Sequence, residues 1–67
     1  MTYLVVYQRY MKGYETILGN CECTFNGKPS LKEIRELEDE LVEEFKEEYD
    51  DAEYIHVVVV NLVPLGY

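Results

Sequence analysis

S-L-K-E-I-R-E-L-E-D-E-L-V-E-E-F-K-E-E-Y, residues 30–49, carries apolar side chains at Leu31, Ile34, Leu37, Leu41, Val42, Phe45 and Tyr49. Steps of three and four place them on one stripe of a helix of about five turns. Ser30 and Glu33 make an S-x-x-E capping box, in which each side chain satisfies a free N–H of the first turn. Asp50-Asp51-Ala52 ends the helix. The chain on either side lacks this period and reads as strand. One helix therefore joins strands that precede it to a strand that follows it.

Upstream, Asn26-Gly27-Lys28-Pro29 breaks the chain before the helix. Tyr14 to Phe25 reads as a strand with Ile17, Gly19, Cys21, Cys23 and Phe25 on one face and a mostly polar opposite face. That pattern suits an edge strand with one buried side, and Gly19 in its interior marks a bulge or a close neighbour. Met11-Lys12-Gly13 supplies a turn, with Gly13 free to take the positive φ of a short hairpin. Thr2 to Tyr10 is β-branched and aromatic on both faces, as a central strand is. Downstream, Tyr54 to Val63 is again apolar on both faces, and Pro64 stops its ladder by removing a donor.

The order strand, strand, helix, strand fixes a topology. A short loop makes the first two strands antiparallel. The helix returns the last strand parallel to the second, hence antiparallel to the first, and a right-handed crossover puts the first strand in the middle. The expected fold is an α+β domain spanning residues 1–67, a ββαβ sheet of order 2-1-3 with one helix on one face. This is the opening portion of a β-grasp arrangement without its later strands.

The 67 residues carry 6 Lys and Arg against 14 Asp and Glu, a formal charge of -8. That sign disfavours direct binding of nucleic acid or of anionic membrane surfaces. A chain this short buries only about 60% of its unfolded surface and needs support beyond its own core. No secretory signal or membrane-length apolar run is read, so the expected setting is reducing and cytoplasmic.

One helix covers one side of the sheet. With Cys21, Cys23, Phe25, Val57 and Val59 inward, the open face would carry Tyr54, His56, Val58, Val60 and Leu62. An exposed apolar patch of that kind is sticky. A homodimer built on those five residues is the expectation.

Candidate chemistry is sparse. Cys21 and Cys23 with His56 could offer three metal ligands, but the C-x-C spacing and single His fall short of a four-ligand zinc site. Two thiols packed as small hydrophobes is the plainer reading. His56 has no nucleophile or orienting carboxylate placed beside it by any motif. No catalytic residue, cofactor or metal is therefore expected, and the chain reads as a non-enzyme. Seven tyrosines, with Tyr3, Tyr7, Tyr10, Tyr14 and Tyr54 foremost, suit either an interface or a small core short of bulk. The ending Gly66-Tyr67 lacks the Gly-Gly of ubiquitin-like sulfur carriers.

The acidic helix is the strongest signal. Twelve of the 14 acids lie between Glu33 and Glu53. Glu36, Glu40, Glu44 and Glu48 form one i,i+4 row, and Asp39, Glu43, Glu47 and Asp51 a second. Six like-charge steps cost about 1–3 kcal/mol in all. A solvated face would keep the protein soluble. A functional face, comprising Glu36, Asp39, Glu40, Glu43, Glu44 and Glu47, would dock a basic protein. The acids fall at one per about 2.5 Å of helical rise, against one charge per about 1.7 Å of DNA axis. A nucleic-acid mimic that blocks a DNA- or RNA-binding protein is thus an alternative. A small-ligand or catalytic module formed at a dimer interface is another.

The whole chain resembles the small accessory proteins of phages and prophages of Gram-positive bacteria. The features that carry the resemblance are Y-L-V-V-Y-Q (Tyr3 to Gln8), G-x-x-x-x-x-G-N (Gly13 to Asn20), the acidic helix and V-V-V-V-N-L (Val57 to Leu62). The resemblance implies a non-enzymatic factor that binds a host or phage protein, with inhibition of a defence system as one role.

Overall fold

The computed structural model describes residues 1–66; Tyr67, and with it the end of the Gly66-Tyr67 reading, lies outside the described residues. Strand β1 (Thr2–Met11) is followed by β2 (Ile17–Thr24), helix α1 (Leu31–Glu48) and β3 (Ile55–Pro64). The sheet order is β2-β1-β3, and both pairings are antiparallel. The ββαβ architecture is the expected one, with the first strand in the middle.

Local sequence explains each boundary. Ser30 caps α1: its hydroxyl accepts from the Glu33 N–H at 3.2 Å, while the Glu33 carboxylate accepts from the Ser30 N–H at 3.1 Å. Gly13 turns the hairpin at a φ of 89°. Met11, expected in that turn, instead ends β1 opposite Ile55 and is fully buried. Tyr14 leaves the sheet. Its ring meets Tyr49 edge-on at 5.5 Å, and its hydroxyl donates to Asp51 at 3.2 Å, so β2 begins only at Ile17.

The odd residues of β1 face the helix. Tyr3, Val5 and Phe25 form one buried cluster, with Leu37, Val59 and Leu62 packed against it. Tyr7, Leu41 and Val57 form a second, flanked by Val42 and Phe45. Gly19 sits where any side chain would collide with the Tyr7 ring, since a Cβ there would lie 2.6 Å from it. The backbone of α1 comes close to β3 and to no other strand. The helix therefore lies toward one edge of the sheet. Strand β2 has no fully buried residue; Gly19, Cys21 and Cys23 are half-buried. The single buried side expected of it is only partly covered.

One irregularity changes the face assignment. Tyr7 pairs with Val59 but Val6 pairs with Asn61, so Val60 is an extra residue on β3. This bulge reverses the alternation beyond it. Leu62, expected on the open face, is instead opposite Val5 on the helix face and packs into the core. Tyr54, His56, Val58 and Val60 remain exposed.

Candidate functional site

The outer face of α1 follows from its inner one. Because Leu37, Leu41, Val42 and Phe45 turn toward the sheet, the intervening acids turn away. Glu36, Asp39, Glu40, Glu43, Glu44 and Glu47 are all exposed. Lys32 approaches Glu36 at 4.0 Å and Lys46 approaches Glu43 at 3.5 Å. Both pairs are solvated and contribute between about zero and 1 kcal/mol. Asp39, Glu40, Glu44 and Glu47 form no ion pair among the described residues. All six acids singled out from the sequence thus share one accessible surface whose charge is little compensated.

Glu38 behaves differently, and its role was missed in the sequence. It is buried, with one oxygen 3.2 Å from Arg35. The other oxygen accepts from the Val59 N–H at 2.8 Å. Val59 adjoins the bulge on an edge strand, so this carboxylate satisfies a strand amide that would otherwise lack a partner. The available signal was position: Glu38 follows Ile34 by four and precedes Leu41 by three, on the apolar stripe itself. Beside it, a groove of about 500 Å³ opens between α1 and β3, lined by Leu31, Ile34, Arg35, Glu38, Val60 and Leu62. Leu31, read from the sequence as part of the apolar stripe, is exposed at the rim of this groove.

The tyrosines divide. Tyr3 and Tyr7 are buried, while Tyr10, Tyr14 and Tyr54 are exposed. Tyr10 meets Tyr54 at 5.9 Å, and Tyr54 meets His56 at 6.3 Å. These three rings form an aromatic patch at one end of the open face. Leu18, Val58 and Val63 add exposed apolar area elsewhere.

His56 pairs with Tyr10, whereas Cys21 pairs with Val5. The two thiols and the imidazole therefore lie on opposite faces of the sheet and cannot share an ion. Among the described residues no three His, Cys, Asp or Glu side chains converge on a metal-sized site. Both cysteines are free thiols. Burial pushes both up from the ordinary thiol value, aided by Cys23 and Glu44 around Cys21 and by Glu40 beside Cys23.

Arg9 is the second residue that sequence reading passed over. It is buried on the helix face, its guanidinium 5.1 Å from the Phe45 ring centre and 5.2 Å from that of Tyr49. Its Nε has no hydrogen-bond partner among the described residues. Two aromatic faces and the nearby C-terminal turn of α1 stabilise the cation in place of a carboxylate.

Comparison with protein-family models, curated proteins and solved structures gives no match. No helix among the described residues is long and apolar enough to cross a membrane.

Proposed function

We propose that this chain is a non-enzymatic binding protein that docks a basic protein on the outer face of α1. The observation that carries the reading is the concentration of six exposed acids on one helix face, four of them without an ion pair among the described residues. Folding gains nothing from this arrangement, because like-charge neighbours at i,i+4 oppose the helix. The resemblance to phage and prophage accessory proteins suggests a host or phage factor as the partner, and defence inhibition as the consequence. The cytoplasm is the proposed setting.

The test is Glu36→Gln, Glu40→Gln, Glu43→Gln and Glu47→Gln combined. It should raise thermal stability slightly and abolish capture of a basic partner. Added salt should weaken the wild-type complex through screening. Retained capture by the Gln variant would reduce the helix to a solubilising surface and shift attention to the Tyr10–Tyr54–His56 patch. Nucleic-acid mimicry is the narrower reading favoured by the charge spacing along α1. It requires that an oligonucleotide compete with this chain for the partner.

A further inference from the structure

We infer that β2 is the edge through which two copies of this chain pair, antiparallel and about a two-fold axis, to form one six-stranded sheet. The inference does not rest on the helix-docking reading. It begins with the direction of the backbone groups. Lys12 N–H donates to the Tyr54 carbonyl and Leu65 N–H to the Thr2 carbonyl, so even residues of β1 bond toward β3. Phe25 N–H donates to the Met1 carbonyl, so odd residues bond toward β2. Ile17, Gly19, Cys21 and Cys23, opposite those odd residues, spend their backbone groups on β1. Leu18, Asn20 and Thr24 direct theirs outward. Among the described residues the helix does not cover that row, because α1 lies over β3.

Charge identifies the occupant. Strand β2 contains one charged residue, Glu22, in a chain of net charge -8. A basic partner would be drawn to α1; an edge with a single charge selects another edge of low charge, and the second copy supplies one. Pairing through β2 also separates the acidic helices. The order becomes β3-β1-β2-β2-β1-β3, which sets the two β3 strands, each with its helix, about 24 Å apart. That is about three Debye lengths at physiological salt. Pairing through β3 would bring the two helices side by side, and the Val60 bulge and the Glu38 carboxylate already obstruct that edge. The favoured register centres on Cys21. It sets Glu22 against the amide of the partner's Asn20, not against apolar Leu18 or a second Glu22. The two Cys21 Cα atoms then lie about 4.5 Å apart, within disulfide range.

The experiment uses the full chain. Sedimentation at tens of micromolar should give a mass near twice 7.9 kDa. Asn20→Pro removes an outward N–H, and Leu18→Lys places a charge at a side chain that is 70% exposed. Each should weaken the dimer about tenfold or more, with the helical and strand circular dichroism retained. Diamide oxidation of Cys23→Ser should yield a dimer through Cys21, and Cys21→Ser should reduce the cross-linked fraction about tenfold. A concentration-independent monomer would overturn the inference. So would a dimer that survives Asn20→Pro and Leu18→Lys but is broken by Val58→Lys, because that places the contact on the open face. A monomer that captures a foreign strand at this edge would replace the second copy as occupant and overturn it equally.

Discussion

The two outer strands of this small sheet have opposite fates. Strand β3 lies beneath α1, carries a bulge at Val60 and has a helix carboxylate on the Val59 amide. Strand β2 is regular over Ile17–Thr24, has no fully buried residue and no helix over it. Edge strands are templates for further pairing unless something blunts them. Here one edge is blunted three times and the other only by its Glu22. The difference shows where the chain has invested its specificity: the side near the acidic helix is closed to new strands, and the far side is open.

The largest effect should come from the closed side. Leu41→Ala removes the buried helix contact with Tyr7 and Val57 and should cost about 2–5 kcal/mol. Leu18→Ala, on the open side, should change the stability of the monomer by less than about 0.5 kcal/mol. Chemical denaturation of both variants, at a concentration low enough to keep the chain monomeric, checks the contrast, and similar losses would mean that β2 is packed within the monomer itself. Next, Glu38→Ala strands the Val59 amide and should cost about 1–3 kcal/mol, with Val59 losing protection in hydrogen exchange. Glu38→Gln keeps an acceptor and should cost less.

A smaller effect concerns the thiols. Both are held up by burial, so the neutral form is favoured in the fold. A group raised in this way contributes stability that is full below its unfolded value near 9.0 and is lost as pH rises through the folded one. Alkylation of Cys21 and Cys23 by iodoacetamide should accordingly rise with pH later than that of a free thiol. An ordinary profile would show that the β2 side is looser than described. Smallest is Tyr14. Its hydroxyl is raised mainly by the hydrogen bond to Asp51, so the contact should be lost as pH climbs past the ordinary tyrosine value of 10.0. Tyr14→Phe should remove that slight alkaline dependence of the melting temperature.

The element order and the 2-1-3 sheet were legible because each rests on a strong local signal. These are the S-x-x-E cap, the three-and-four spacing from Leu31 to Tyr49, the Gly13 turn and the two-sided apolarity of the first strand. The bulge was not legible. Four consecutive valines offer no residue that marks where a strand gains an extra position, so Leu62 fell on the wrong face. Glu38 was hidden for a related reason: charge read as solvation, while its place on the apolar stripe pointed inward. Arg9 shares the odd positions of Tyr3, Val5 and Tyr7, and its burial depends on two rings brought by a distant helix. The six acids of the outer face were legible in position, since exclusion from the apolar stripe was enough to expose them.

The Val60 bulge also makes β3 behave like a reading frame. Before it, Val57 and Val59 point to the core; after it, Leu62 does, with Asn61 and Val63 left outside. Deleting Val60 would restore strict alternation and leave the frame as it is, with Asn61 opposite Val6 on the outside and Leu62 opposite Val5 in the core. A residue gained after Val60, by contrast, would turn every later side chain to the opposite face unless the bulge widened to absorb it. This segment should therefore tolerate the loss of a residue at the bulge better than the gain of one.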